Sequence, residues 1–173
     1  LWEMHLGMLF MNVDLVVYSE AVPIDAPERK EAKQKNIRQL SYFQALGELT
    51  AKSSLIAVCG THGKSSTTAM AAKMLVDSGK DPSVVLGTLA FDLGNKNWRT
   101  GEGEWWLAEA CEYRRSFLHL SPKITLLTNA DGDHFDAFTS LQDYVHAFQE
   151  FVGKLPKDGV LIFHGNDPVS REI

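Results

Sequence analysis

A glycine-rich segment between a predicted strand and a predicted helix constrains this chain more than any other feature. The apolar run 55–59 leads into Gly60-Thr61-His62-Gly63-Lys64-Ser65-Ser66-Thr67, and a helical pattern continues over 68–75. Glycines let backbone N–H groups approach phosphate oxygens, and the N-terminus of a helix favours negative charge. Lys64 can place its cation on a terminal phosphate, while Ser65 can offer a hydroxyl to Mg²⁺. The segment therefore predicts nucleotide-driven chemistry.

This loop is shorter than the standard phosphate loop, which has four residues between its glycines. Here only Thr61 and His62 separate Gly60 from Gly63. The alternative is a glycine turn that merely caps a helix beside a buried strand. Lys64 and the hydroxyl-bearing residues after it fit a phosphate better than they fit a simple cap.

Composition limits the class of protein. The 173 residues are 45% hydrophobic, which is enough for a buried core without metal or disulfide staples. The formal net charge of -5 argues against a general nucleic-acid binder, and the sequence shows neither an apolar run long enough for a membrane span nor a signal peptide. Cys59 and Cys111 make no disulfide framework, so we expect the protein to lie in the reducing environment of the cytoplasm. The chain starts at Leu1 rather than Met, and we expect it to be part of a longer polypeptide.

Strand and helix patterns alternate along the chain, which is typical of a parallel sheet covered on both faces. The pattern predicts an α/β fold with a mostly parallel sheet and flanking helices. We place a domain boundary near residue 52, which divides the chain into 1–52 and 53–173. Strands are predicted over 13–19, 55–59, 83–86, 104–108, 124–128 and 159–163, and helices over 28–35, 42–49, 64–78 and 140–152.

Charged residues follow two of the predicted strands. Glu109 comes directly after 104–108, and the segment 129–136, which contains Asp133 and His134, comes after 124–128. In open sheets of this kind ligands bind beyond the carboxyl ends of the strands, so these residues should face the phosphate loop. Carboxylates and a histidine there predict a magnesium site. Glu112, Arg114 and Arg115 fit a solvated charged turn as well as they fit substrate contacts.

The ordered motifs resemble those of the Mur ligase family, whose short loop reads Gly-Thr-x-Gly-Lys-(Ser/Thr)-(Ser/Thr). Glu109-Ala110-Cys111-Glu112, Thr128-Asn129 and Asp133-His134-Phe135-Asp136 resemble the family's later motifs, and Ser19-Glu20-Ala21-Val22 resembles the end of its UDP-sugar domain. The resemblance implies a P-loop-type central ATP-binding domain, preceded by part of a Rossmann-like domain. We expect the family's C-terminal domain, which brings the amino acid, to be missing from this chain.

His62 makes the loop most similar to the branch that joins L-alanine to UDP-N-acetylmuramate through an acyl phosphate, using ATP and Mg²⁺. The resemblance assigns catalysis to Lys64, Glu109 and His134, and metal binding to Ser65, Glu109 and His134. It assigns nucleotide binding to Gly60, Thr61, His62, Gly63, Lys64, Ser65, Ser66 and Asn129, and a substrate contact to Ser19.

Several alternatives stay open. A ligase that recycles a whole peptide onto the same sugar shares the His62 variant, whereas folylpolyglutamate synthases usually carry Asn there. A nucleotide-binding module without ligase activity and a simple phosphoryl transferase or ATPase are the other candidates. The oligomeric state is left open by the sequence. We expect the chain on its own to bind nucleotide weakly and to catalyse no ligation.

Overall fold

The computed structural model describes residues 13–131 and 138–173, and a six-stranded sheet lies at its centre. The strands are β1 (Leu15–Tyr18), β2 (Arg38–Ser41), β3 (Ser54–Cys59), β4 (Ser83–Ala90), β5 (Lys96–Arg99), β6 (Trp105–Glu109), β7 (Ile124–Leu127) and β8 (Val160–Phe163). The α-helices are α1 (Pro27–Gln34), α2 (Tyr42–Thr50), α3 (Lys64–Asp77), α4 (Leu141–Val152) and α5 (Pro168–Glu172). Two 3₁₀ segments cover Phe91–Leu93 and Tyr113–His119.

The order of strands in the central sheet is β5-β4-β6-β3-β7-β8, and only the β4–β5 pair is antiparallel. This confirms the predicted mostly parallel sheet with flanking helices. β3 lies between β6 and β7, with Val58 opposite Glu109 and Cys59 opposite Leu127. Because parallel strands end at the same edge, the loop after β3 lies beside the segments that follow β6 and β7.

Both faces of the sheet are covered by apolar side chains. Leu55, Ala57 and Cys59 of β3 belong to one buried cluster, and the alternate residues Ile56 and Val58 belong to another. This alternation follows from the two-residue side-chain period of a strand. The first cluster is rich in aromatic residues of α4 and the second 3₁₀ segment, and the second cluster contains residues of α3, β4 and β6.

Helix α2 packs into the same core as the central sheet. Ser41 caps the helix in a reciprocal capping box with Gln44, and Phe43 and Leu46 are buried in the first cluster. At Gly47 an added Cβ would lie 2.2 Å from the backbone oxygen of His119, so the helix rests directly on the backbone of the second 3₁₀ segment. β1 and β2 form a separate two-stranded parallel sheet before α2. The division at residue 52 stays a prediction.

Five elements of the described residues were absent from the predictions: β2, β5, α5 and the two 3₁₀ segments Phe91–Leu93 and Tyr113–His119. β2 has one aliphatic residue in four, and β5 is an exposed edge strand, so neither carries an apolar pattern. β4 continues to Ala90, beyond the predicted end at residue 86, because its last part pairs with β5. Among residues 13–131 and 138–173, none of the helices combines the length and apolarity that a membrane crossing requires.

Candidate phosphate and metal site

The two glycines of the loop are required by different features of the backbone. Gly60 has φ +132°, and a Cβ there would lie 2.2 Å from Oγ1 of Thr128, so any side chain would collide with the end of β7. Gly63 has φ +79° with open space around it, and it is the N-cap of α3. Glycine adopts this left-handed conformation without steric cost. The loop therefore turns sharply from β3 into the first turn of the helix.

The loop is fixed to the end of β7 by a set of hydrogen bonds with Thr128 and Asn129. The backbone N–H of Thr61 donates to the Asn129 carbonyl at 3.0 Å, and that of His62 donates to Asn129 Oδ1 at 2.9 Å. Thr128 Oγ1 donates to the His62 carbonyl at 2.7 Å. Asn129 thus holds the loop, and the N–H groups for a phosphate come from the first turn of α3, which lack acceptors inside the helix.

The side chain of Thr61 makes a second attachment, which the sequence did not reveal. Its Oγ1 lies 2.7 Å from the hydroxyl of Tyr144 on α4, and it accepts a hydrogen bond from the backbone N–H of Asp131 at 2.9 Å. Thr61 and Tyr144 are both buried. The apolar stripe of α4 indicates a core position for Tyr144 correctly, but not that its hydroxyl contacts the phosphate loop.

Ser65 and Glu109 lie together at the neighbouring ends of α3 and β6. Ser65 Oγ donates to Glu109 Oε2 at 2.9 Å, and the backbone N–H of Gly87 on β4 donates to the same oxygen at 2.8 Å. Neighbouring oxygen ligands of an octahedral Mg²⁺ at about 2.0–2.1 Å are themselves about 2.9 Å apart, so this pair fits the predicted cation. The residues described contain no cluster of three His, Cys, Asp or Glu side chains suited to a metal. His134, predicted as a further ligand, lies outside the described residues.

Gly87 is a functional candidate that the sequence reasoning missed. A Cβ at this position would lie 3.2 and 3.3 Å from the two carboxylate oxygens of Glu109, which is tighter than ordinary contact. The glycine therefore leaves room for the carboxylate and orients it through its N–H group. A single glycine within a strand pattern is the signal that indicates such a close approach.

Lys64 reaches back over the loop from the first position of α3. Its Nζ donates to the carbonyls of Gly60 at 2.6 Å and Thr61 at 3.0 Å, and it lies 3.2 Å and 3.1 Å from Oε1 and Oε2 of Glu112. The Glu112 side chain is completely buried. Of the two alternatives for Glu112, the solvated turn is wrong, because the side chain is buried against Lys64 of the neighbouring loop. The alternative of a substrate contact stays a prediction.

The turn after Glu112 is held by two arginines in the left-handed region, with φ 51° at Arg114 and 57° at Arg115. Arg114 donates to the carbonyl of Glu20 at 3.1 Å, and Arg115 donates to Asp143 Oδ1 at 2.6 Å. A hydrogen bond from the Thr139 backbone, together with the Arg115 cation, lowers the pKa of Asp143 below its ordinary value. These contacts connect the turn with the N-terminal region and with α4.

Ser19 lies in a different cavity from the phosphate loop. Thr61–Ser66 and Glu109 line a cleft of about 310 Å³, whereas Ser19 lines a more apolar cavity of about 410 Å³ together with Tyr42, Cys111 and Tyr113. The two cavities are near neighbours, because Glu109 lines one and Cys111, two residues later, lines the other. Burial and the Glu109 charge raise the pKa of Tyr42 in the second cavity. The structure therefore separates the predicted substrate contact from the predicted nucleotide contacts.

A parallel sheet whose central strand feeds a short glycine loop, beside a serine–carboxylate pair, defines a phosphate-binding α/β domain. The chain belongs to the Mur ligase family, since residues 58–173 match the model of the Mur ligase middle domain. It is 41% identical over 157 residues to UDP-N-acetylmuramate–L-alanine ligase of Clostridium botulinum strain Okra, covering 90% of this chain and 34% of that relative. It is 43% identical over 162 residues to the ligase of that name from Desulfitobacterium hafniense strain Y51, covering 94% and 36%.

Solved structures agree with this placement. The UDP-N-acetylmuramate–alanine ligase of Thermotoga maritima superposes with a TM-score of 0.85 at 29% identity, covering 96% of this chain and 38% of that one. A ligase from Neisseria meningitides for UDP-N-acetylmuramate and L-alanyl-γ-D-glutamyl-meso-diaminopimelate has a TM-score of 0.83 at 23% identity, over 92% and 54%, and shows the shared fold alone. The chain spans about a third of the length of the curated relatives it matches.

Proposed function

We propose that this chain is the nucleotide-binding part of an ATP-dependent ligase that joins L-alanine to UDP-N-acetylmuramate in peptidoglycan precursor synthesis, in the cytoplasm. The observation that carries the proposal is the 2.9 Å contact between Ser65 and Glu109 beside a short phosphate loop. It occurs in a chain 41% identical to a ligase of that name. The two rivals within enzymes, a peptide-recycling ligase and an ATPase, are outcomes of the assay below.

Different residues of the cleft would bind the phosphates and the metal ion of the nucleotide. The first N–H groups of α3 and the Lys64 cation would contact the phosphates, while Asn129 keeps the loop in shape. Ser65 and Glu109, with His134 as a third ligand, would hold Mg²⁺. The ion supplies positive charge against the phosphate oxygens during transfer. Removing one such stabilising contact costs on the order of 3 kcal/mol in the barrier, or about a hundredfold in rate.

The reaction needs positioning more than covalent help from the protein. The carboxylate of the sugar substrate takes the terminal phosphoryl group of ATP, and ADP leaves. The amine of alanine then attacks the acyl carbon, phosphate leaves, and the amine loses a proton. Ser19 would contact the sugar substrate from the adjoining cavity, and residues 1–52 would be the C-terminal part of the UDP-sugar-binding domain.

Lys64→Ala tests the proposal in the longest polypeptide that the gene encodes. With UDP-N-acetylmuramate, L-alanine, ATP and Mg²⁺, we expect turnover to fall by at least about a hundredfold, because the variant lacks the cation that offsets phosphate charge. Phosphate release and the mass of the product measure it. Lys73→Ala is the matched control: this lysine is on the same helix but exposed and paired with Asp77, so its loss should leave turnover unchanged. Undiminished turnover in Lys64→Ala contradicts the proposal.

The same assay separates the alternatives. Faster product formation with L-alanyl-γ-D-glutamyl-meso-diaminopimelate than with alanine would identify a peptide-recycling ligase. Phosphate release that needs neither sugar nor amine would identify an ATPase. Tight nucleotide binding without turnover of any acceptor would identify a non-catalytic module.

A further inference from the structure

The Lys64 ammonium already has a full set of acceptors inside the protein. It carries three N–H donors, and the Gly60 carbonyl, the Thr61 carbonyl and the Glu112 carboxylate lie 2.6, 3.0 and 3.1 Å away. A phosphate oxygen can therefore gain a hydrogen bond from Lys64 only if one of these acceptors releases it. The two carbonyls belong to the fixed backbone of the loop, and their contacts are shorter than those to the carboxylate.

Glu112 is a buried carboxylate beside Lys64, and Lys64 in turn lines the cleft. Its side chain has 0% exposure and that of Lys64 only 12%, so the two charges attract each other with little screening by water. A phosphate brought to Lys64 would replace one anion by another. The carboxylate would then lie close to the phosphate charge in the same poorly solvated region, and like charges that close repel strongly.

We propose that Glu112 is a positioning residue that holds Lys64 when no nucleotide is bound and competes with the phosphate of the nucleotide for this lysine. The inference rests on the proposed nucleotide binding and adds a role for a residue outside the predicted site. It has two consequences. Glu112 keeps the buried cation paired when no nucleotide is bound, and it weakens phosphate binding, which assists release of the product nucleotide.

Glu112→Gln separates these effects, because the amide preserves shape and removes the charge. Calorimetric titration of the 173-residue chain with a non-hydrolysable ATP analogue and Mg²⁺, and separately with inorganic triphosphate, gives the affinities. An opposite charge within about 4–6 Å changes the affinity of a carboxylate for a proton by about one to three orders of magnitude, and a like charge acts in the opposite direction. We therefore expect both probes to bind Glu112→Gln about tenfold more tightly than wild type. Equal or weaker binding overturns the inference.

Two measurements exclude a purely structural role. Without ligand the variant should unfold at a lower temperature, because Lys64 is then a buried cation without its counter-ion, and the ATP analogue should raise that temperature more than in wild type. Glu104→Gln, an exposed carboxylate just before β6, is the control and should bind like wild type. If Glu112 were only structural, its loss would lower stability and affinity together.

Should Glu112→Gln fail to fold, Lys64→Gln and Lys64→Gln/Glu112→Gln provide a second comparison, since the double variant leaves no unpaired charge of this pair. The double variant should bind triphosphate more tightly than the single one, and equal affinity overturns the inference. Wild-type chain that binds neither probe refutes the proposed nucleotide binding itself. Wild-type binding without tightening in either comparison refutes the role of Glu112 alone.

Discussion

The hydroxyl of Thr61 joins the phosphate loop to α4 and to the segment after β7, and Thr61→Val removes that joint while keeping the shape of the side chain. Two hydrogen bonds are lost: one with the buried Tyr144 hydroxyl, and one that the backbone N–H of Asp131 donates. The buried contact is worth about 1.5 kcal/mol, and the Asp131 contact about 0.5 kcal/mol because Asp131 is an exposed residue, where water can take the place of the lost acceptor. We expect a loss of about 2 kcal/mol in the free energy of unfolding.

Thermal and urea unfolding followed by circular dichroism measure this loss, which corresponds to a fall in Tm of about 4–8 °C for a chain of this size. Tyr144→Phe removes the other partner of the buried contact and should cost at least about 1.5 kcal/mol. Because both variants delete that same bond, the double variant should cost about 1.5 kcal/mol less than the sum of the two single losses. Thr88→Val, an exposed threonine on β4, serves as the control.

If the losses of unfolding free energy in Thr61→Val and Tyr144→Phe were strictly additive, the proposed contact between the two side chains would be refuted, since residues that do not interact have independent effects. A loss in Thr61→Val below about 0.5 kcal/mol would also refute it, because changes of that size are usual for substitutions away from buried polar contacts. In either case the loop would be held mainly by its contacts with Thr128 and Asn129.

Two further predictions test the packing and the electrostatics around the site. Gly47→Ala should lower the free energy of unfolding by about 2 kcal/mol, although alanine normally stabilises a helix, because the new methyl group would collide with the backbone of His119. Gly165→Ala is the control and should leave the free energy of unfolding nearly unchanged, since a Cβ there meets nothing within 4 Å. A stabilised Gly47→Ala variant would contradict the packing of α2 on this backbone. Burial and the charge of the neighbouring glutamate raise the pKa of Cys111, and burial raises that of Cys59 further. Alkylation of the native protein, followed by mass spectrometry, should therefore be slow at Cys111 near neutral pH and should not occur at Cys59. Below the raised pKa of Cys111, its alkylation rate should increase about tenfold per pH unit, because the thiolate fraction grows. Fast alkylation of Cys111 at neutral pH would contradict this environment.

Elements that have their own apolar pattern could be predicted from the sequence. β3, β7 and β8 read as apolar runs, and α3 and α4 have helical spacing, so their positions came out within a residue or two. β2 and β5 have no such pattern: Arg38–Ser41 forms a strand because β1 lies alongside it, and Lys96–Arg99 because β4 does. Such strands are determined by tertiary pairing, which local propensity does not contain.

The residues of the candidate site also differ in whether the sequence alone could place them. Ser65 and Glu109 could be placed together because each stands at the end of an element, and parallel strands end at one edge. The burial of Glu112 could not be predicted, since a glutamate near two arginines looks solvated until Lys64 is found beside it. The contribution of Gly87 was also hidden, because it depends on which strand neighbours β6.

The contacts of the phosphate loop also set the order in which the site is completed during synthesis on a ribosome. Glu109 is 44 residues, Glu112 is 48 residues and Tyr144 is 83 residues after its partner in the loop. At about 5–20 residues per second, Thr61 waits about 4–17 seconds for Tyr144 to be synthesised. At the start of that interval the apolar strand β3 has neither of its neighbours, because β6 and β7 are both synthesised after it. β6 is completed first, and β7 follows. The loop is made early, but its attachment to the rest of the protein is finished only when α4 emerges.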